Sequence, residues 1–275
     1  MKITIGSYAG FCYGVKRAVR LAKEACEKDS RCTVLGDLIH NKQVMDQLRQ
    51  KGLHVAQSVE EVLEGAVLIR SHGAAPELYE KLRAKGLSVI DATCPDVAKV
   101  HRIVSSYSED GSPVMIVGEP SHPEIQATAG WCKGPAHIIQ NEEDVLLLPK
   151  MERALVVAQT TLPEKDFFAI VEALQKRISN LKVENTICAA TTKRQKEAEA
   201  LASEADAVLV LGGKNSSNTK ALYDTCKKRC VKTYWLESAA DIPSFGIQAV
   251  DHIAITAGAS TPEWSLKEVA TRMND

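Results

Sequence analysis

One spacing occurs three times in this 275-residue chain and limits what it can fold into. Cys12, Cys94 and Cys188 each close a strand-like run (from Ile3, from Leu87 and from Val183) and open a helix-like one. The helical runs place Val15, Ala18, Val19, Ala22 and Cys26, then Val97, Val100 and Val104, then Ala198, Leu201, Ala202 and Ala205 on apolar faces. A further feature keeps step with them: a glycine ends the next apolar run 24 residues after each cysteine, at Gly36, Gly118 and Gly212. Repetition at a fixed offset is the mark of one supersecondary unit used several times.

The second half of each unit repeats too. An apolar run enters a polar turn, and proline then opens a helix. The turns are Ser71-His72-Gly73 before Pro76, Gln159-Thr160-Thr161 before Pro163, and Thr256-Ala257-Gly258-Ala259-Ser260 before Pro262. Proline suits a first helical turn, where its missing N–H has no intrahelical partner to lose. The helices after Pro76 and Pro163 lead to the strands ending at Cys94 and Cys188. After Pro262 no further strand-like run precedes Asp275, and the run at residues 3–5 is expected to supply the missing strand.

Alternating strands and helices imply parallel sheets, with functional loops at the carboxyl ends of the strands. The expected fold is therefore α/β: three small pseudo-repeated α/β units with mostly parallel sheets, trefoil-like around a centre where the three cysteines meet. The units fall at residues 13–93, 94–187 and 188–275, the last completed by strand 1–12. A single doubly wound domain with a coincidental spacing is the alternative.

Charge and composition exclude several classes. Lys plus Arg number 34 against 35 acids, with no like-charge block, so a nucleic-acid or membrane-surface role has no electrostatic basis. No apolar run approaches the ~18 residues of a membrane span. The first residues read as a strand rather than a targeting peptide, so a soluble, cytoplasmic protein is expected. In a reducing compartment the eight cysteines are core residues, catalytic groups or metal ligands. No Cys-x-x-Cys occurs, which removes zinc-ribbon and ferredoxin spacings.

Three converging thiolates could bind zinc, which in structural sites usually takes four ligands. They could instead hold three corners of a 4Fe–4S cube, leaving the fourth iron open as a Lewis acid. Each cysteine also opens a helix, where the positive dipole end favours anionic sulfur. Cys26, Cys32, Cys132, Cys226 and Cys230 lack matched positions and read as small hydrophobes.

The loops after the first strand of each unit carry Ile39-His40-Asn41, Ser121-His122-Pro123-Glu124 and residues 214–219, Lys-Asn-Ser-Ser-Asn-Thr. With the later turns they form a donor-rich set suited to phosphate oxygens, although each Ser or Asn alone more often caps a helix or forms a turn. No Walker A or GxGxxG motif indicates a nucleotide. Glu124, beside a cluster and an anion, should hold its proton more tightly and is a candidate proton donor. His54, His101, His137 and His252 fall outside these loops and read as surface or core residues.

These motifs resemble the 4-hydroxy-3-methylbut-2-enyl diphosphate reductase family. The matching stretches are Gly10-Phe11-Cys12-Tyr13-Gly14-Val15, Leu38-Ile39-His40-Asn41, Ser71-His72-Gly73, Asp91-Ala92-Thr93-Cys94-Pro95, His122-Pro123-Glu124, Gln159-Thr160-Thr161, Thr186-Ile187-Cys188, Asn215-Ser216-Ser217-Asn218 and residues 256–260. Ala127 departs from the family's usual glycine and would stiffen its loop. The resemblance implies one 4Fe–4S cluster on Cys12, Cys94 and Cys188, with the substrate's allylic hydroxyl on the fourth iron. It implies diphosphate binding by His40, His72, His122, Ser216, Ser217, Asn218 and Ser260, with Thr160 also at the substrate. Protons would pass through Glu124 and Thr160, and a single-electron donor such as ferredoxin or flavodoxin would supply two electrons. The products would be isopentenyl and dimethylallyl diphosphate, closing the methylerythritol phosphate route. A quinolinate-synthase-like cluster-dependent lyase and a non-catalytic phosphate-binding module with structural zinc are the rivals.

Overall fold

The computed structural model describes residues 1–28, 31–243 and 250–274. The chain runs β1 (Lys2–Ile5), α1 (Tyr13–Lys28), β2 (Thr33–Leu35), α2 (Lys42–Gln50), β3 (His54–Ala56), β4 (Ala66–Ile69), α3 (Pro76–Ala84) and β5 (Ser88–Asp91). It continues through α4 (Pro95–Tyr107), β6 (Val114–Val117), α5 (Pro123–Gly130), β7 (Ala136–Ile139), α6 (Glu142–Leu146), β8 (Arg153–Ala158), α7 (Glu164–Gln175) and β9 (Asn180–Glu184). The last stretch is α8 (Ala189–Glu204), β10 (Ala207–Leu211), α9 (Ser217–Lys227), β11 (Thr233–Leu236), β12 (His252–Ala257) and α10 (Glu263–Asn274).

Among the described residues these strands make three four-stranded sheets, every pairing parallel. Taken from the edge that precedes a cysteine, their orders are β1-β12-β10-β11, β5-β4-β2-β3 and β9-β8-β6-β7. The α/β class and the repetition expected from the sequence are thus both present. The chain compacts into two units: one of Met1–Val15, Ile39–Met45 and Ala189–Asp275, the other of Lys16–Leu38 and Asp46–Cys188. The first unit contains the β1-β12-β10-β11 sheet and the second contains the other two.

Side-chain chemistry sets strand position. β4 (AVLI), β6 (VMIV) and β10 (AVLVL) are buried at every residue, as strands covered by helices on both faces must be. β1, β5 and β9 carry Lys, Ser, Asp or Asn at partly exposed positions and take the edges. In the β9-β8-β6-β7 sheet, one face packs Met115, Val117 and Val156 on Phe167 and Leu174 of α7. Its other face packs Ile116, Leu155 and Val157 on Val100 and Val104 of α4. In the first unit, Val208, Val210 and Ala254 meet Ala198, Ala202, Leu222, Cys226 and Cys230. Cys226, Cys230 and Cys32 are buried and form no disulfide, in keeping with a packing role.

The repeat also governs backbone hydrogen bonds. Gly36, Gly118 and Gly212 each donate an N–H across to the neighbouring fourth strand, to Ala56, Ile139 and Leu236 at 2.8, 3.0 and 2.9 Å. Those fourth strands, β3, β7 and β11, are absent from the sequence reading. They are short, and their His, Thr and aromatic content makes no continuous apolar run. The strand ends also differ from expectation. β1, β5 and β9 stop at Ile5, Asp91 and Glu184, so each cysteine belongs to the following helix start. Pro123 opens α5, which places Glu124 and Ala127 in a helix rather than a polar loop. Alanine at position 127 therefore favours the helix by roughly 0.8–1 kcal/mol over glycine rather than stiffening a loop.

Candidate active site

Each cysteine of the repeat is anchored in the same way. The N–H of Cys12 donates to the carbonyl of Ala259 at 3.0 Å, that of Cys94 to Ser71 at 2.9 Å, and that of Cys188 to Thr160 at 3.1 Å. The three acceptors lie in the three polar turns that the sequence repeat singled out. These bonds continue the edge-strand pairing beyond the strands themselves and set each thiol at a helix start. Cys94 is the N-cap of α4, and the Cys12 sulfur accepts the Val15 N–H at 3.5 Å. None of the three forms a disulfide, and all are partly buried. Soft sulfur facing helix N–H groups fits a thiolate ligand, and no disulfide competes for it.

The second unit holds His72, Cys94, His122, Glu124, Thr160 and Cys188. The rings of His72 and His122 meet edge to face at 5.3 Å. His122 caps α5 by accepting the Glu124 N–H on Nδ1 at 3.1 Å, which leaves the ring proton of neutral His122 on Nε2 as a donor. Glu124 is 3% exposed. The Thr160 N–H donates to its Oε1 at 2.6 Å, and the Thr160 hydroxyl donates to its Oε2 at 2.8 Å. Burial pushes the carboxyl up to about 7 against the pull of the two Thr160 bonds, with the charge of Asp96 adding slightly. The upward direction expected from the sequence is present, and among the protein's own groups its main cause is desolvation by burial. Thr160 thus joins the buried acid to the Cys188 backbone.

The first unit holds Cys12, His40, Ser216, Ser217, Asn218 and Ser260. Ser216 is the N-cap of α9, its hydroxyl accepting the Thr219 N–H at 3.3 Å, and Ser217 and Asn218 are the first two helical residues. Backbone N–H groups and the helix dipole make such an end favourable for an anion. Asn218 adds an independent sign: it is 3% exposed, and neither its amide nitrogen nor its carbonyl oxygen has a hydrogen-bond partner. Ser260 donates its hydroxyl to the His40 carbonyl at 3.0 Å, so it must turn away from that carbonyl before it can donate to a ligand.

Thr219 and Gln159 lie in the polar loops that the sequence singled out but had no individual role assigned to them. Thr219 is fully buried, its hydroxyl has no partner, and it fills the space beside Gly212 and Gly258. Gln159 links its loop to the Glu119 N–H at 3.1 Å and to the Thr161 hydroxyl at 2.9 Å. Both stand beside residues that were chosen, and the paired glycines were the signal that Thr219 gave.

Three repeated parallel sheets, with a thiol at each corresponding helix start and a buried acid–hydroxyl pair, mark the class as an α/β enzyme. The chain belongs to the LytB protein family, whose family model matches residues 3–274, and is an oxidoreductase. A 4-hydroxy-3-methylbut-2-enyl diphosphate reductase of Caldanaerobacter subterraneus subsp. tengcongensis is 44% identical over 278 residues, covering 99% of this chain and 96% of that protein. A solved structure of (E)-4-hydroxy-3-methyl-but-2-enyl diphosphate reductase, the terminal enzyme of the non-mevalonate pathway, is 42% identical with a TM-score of 0.74. It covers 100% of this chain and 99% of its own. The E-1-hydroxy-2-methyl-but-2-enyl-4-diphosphate reductase of Plasmodium falciparum is 28% identical with a TM-score of 0.95, covering 100% of this chain and 88% of that one. No described helix is long and apolar enough to cross a membrane.

Proposed function

We propose that this protein converts (E)-4-hydroxy-3-methylbut-2-enyl diphosphate to isopentenyl and dimethylallyl diphosphate by reductive loss of the allylic hydroxyl. Two electrons and two protons enter, and water leaves. Cys12, Cys94 and Cys188 would hold one 4Fe–4S cluster, and their shared anchoring and helix-start positions support that ligand set. When bound, the cluster supplies single electrons and an open iron acting as a Lewis acid. A carrier such as ferredoxin or flavodoxin is the matching electron donor.

The protein's own residues account for the rest. His40, His72, His122, Ser216, Ser217, Asn218 and Ser260 would bind the diphosphate, with the buried carboxamide of Asn218 receiving the partners it lacks. Thr160 also contacts substrate. The proton is held on the Oε2 of Glu124 and passed by the Thr160 hydroxyl. A carboxyl near 7 is part-protonated at neutral pH and can donate there, which a solvated glutamate cannot do efficiently.

The buried Glu124–Thr160 pair, tied through Thr160 to the Cys188 backbone, carries this reading. The test is anaerobic reconstitution, iron and sulfide analysis, and turnover with a strong chemical reductant. Iron and sulfide near four each per chain, lost in Cys12→Ser, Cys94→Ser and Cys188→Ser but kept in serine variants of the other five cysteines, is expected. Turnover without reductant would favour a lyase. A colourless, zinc-bearing protein would favour a binding module.

A further inference from the structure

We propose that Arg17 and Arg194 are positioning residues for two of the three sulfur ligands, and that they set the potential of the group those sulfurs hold. This rests on the ligand reading above. Arg17, five residues after Cys12 on α1, donates from Nη1 to the Thr93 carbonyl and from Nη2 to the Asp91 carbonyl, both at 3.1 Å. Those carbonyls belong to the segment that enters Cys94. Arg194, six residues after Cys188 on α8, is 3% exposed. It donates from Nε to Tyr8 at 2.9 Å and from Nη2 to Gly10 at 2.7 Å, in the segment that enters Cys12.

The two forks are one device at neighbouring points of the repeat, five residues after Cys12 and six after Cys188. In each, a guanidinium from the helix after one cysteine grips alternate carbonyls just before another. A planar guanidinium suits this task because its donors are fixed relative to one another, so it constrains the loop and not merely one oxygen. It also leaves a permanent positive charge behind the cysteine backbone. Charge and hydrogen bonding around cluster sulfurs set reduction potential, and a nearby cation favours the reduced state.

The third corner is built differently. On α4 the same two offsets from Cys94 fall on the exposed Lys99 and the buried Val100. The segment entering Cys188 is held instead by neutral groups: the Thr186 hydroxyl donates to the Ala158 carbonyl at 2.6 Å and accepts the Ala158 N–H at 2.8 Å, and Asn185 Oδ1 accepts the Ile187 N–H at 3.1 Å. The repeat is therefore symmetric in its thiols and asymmetric in the charge behind them.

The experiment uses the full chain, reconstituted anaerobically, as wild type, Arg17→Lys, Arg17→Met, Arg194→Lys, Arg194→Met and Lys99→Met. Iron per chain, the electron paramagnetic resonance spectrum of the reduced state and the midpoint potential are measured. The Met variants should retain iron and show a tenfold or larger loss of reduced form at a fixed potential, which is 59 mV for one electron. The Lys variants keep the charge and lose the fork, so they should keep most of the potential while changing the spectrum. Lys99→Met should change neither. Arg17 is only half-buried, so Arg17→Met decides the matter if Arg194→Met does not fold. A wild-type potential and spectrum in iron-loaded Arg17→Met would overturn the proposal. A wild-type chain that takes up no iron would instead overturn the ligand reading beneath it.

Discussion

Thr160 holds Glu124 at both carboxyl oxygens, by its backbone N–H at 2.6 Å and its hydroxyl at 2.8 Å, inside a site from which water is excluded. Both bonds favour the ionised acid, and burial opposes them and prevails. The pair is thereby poised with its proton on a defined path. Protonation of Oε2 reverses the 2.8 Å bond and frees the Thr160 hydroxyl to donate elsewhere.

This poise has a cost in stability with a definite sign. The folded carboxyl sits at about 7, above its ordinary 4.5, so the native state holds a proton that the unfolded chain has released. The Glu124 contribution to stability is full below about 4.5, falls as pH rises to about 7, and is level above. A net shift of this size corresponds to about 3 kcal/mol. Buried His101, its pKa lowered to about 4 from the ordinary 6.5, contributes the opposite slope below about 6.5. Urea unfolding of the metal-free protein across that window should therefore show stability rising more steeply with pH in Glu124→Gln than in wild type. Equal slopes in the two proteins would mean that Glu124 ionises normally.

The Thr160 hydroxyl can be separated from its backbone. Thr160→Val keeps the N–H bond to Oε1 and the anchor to Cys188 but removes the proton path. Turnover should fall on the order of a hundredfold or more, with iron content and pyrophosphate binding unchanged. Thr160→Ser should stay within a few-fold of wild type. Valine turning over as fast as serine would remove Thr160 from the relay.

Asn218 offers an opposite signature, because it is strained by what it lacks. A buried carboxamide with no partner costs roughly 1–3 kcal/mol in the empty protein. Asn218→Ala should leave the metal-free protein as stable as wild type or more so. The same change should weaken pyrophosphate binding about ten- to a hundredfold, measured by calorimetry. Loss of stability with unchanged pyrophosphate affinity would assign Asn218 to packing.

Much of this was legible because the repeat writes the same physics three times. Continuous apolar runs such as Ala207-Val208-Leu209-Val210-Leu211 read as central parallel strands, and proline after a polar turn marked helix starts at Pro76, Pro163 and Pro262. The edge strands β3, β7 and β11 were not legible, since a three- or four-residue strand with mixed side chains has no periodicity to detect. Among site residues, the thiols and loop histidines stood out by type and position. The Arg17 and Arg194 forks did not, because a basic residue on an amphipathic helix is ordinarily a solvated one. Only tertiary contact turns them toward backbone carbonyls.

The turn that carries His72 tests how tightly its geometry is set. Gly73 has φ +77, and a Cβ there would lie 2.4 Å from Cε1 of His101. His101 cannot easily yield: it is buried on α4 and stacked on Trp131 at 5.5 Å, and Trp131 donates its indole N–H to the Ala74 carbonyl at 2.9 Å. Burial also lowers the His101 pKa to about 4, so the ring packs as a neutral group. Gly73→Ala therefore adds a clash, about 1–3 kcal/mol, to the strain of a left-handed residue, roughly 1–2 kcal/mol. Gly52, at φ +96 with nothing within 4 Å of its would-be Cβ, supplies the strain alone. Urea unfolding should show Gly73→Ala as clearly the more damaging of the two. Adding His101→Ala to Gly73→Ala should cost less than His101→Ala costs alone, because the clash is relieved. Strictly additive losses in that double mutant would mean that His101 does not set the height of the His72 turn.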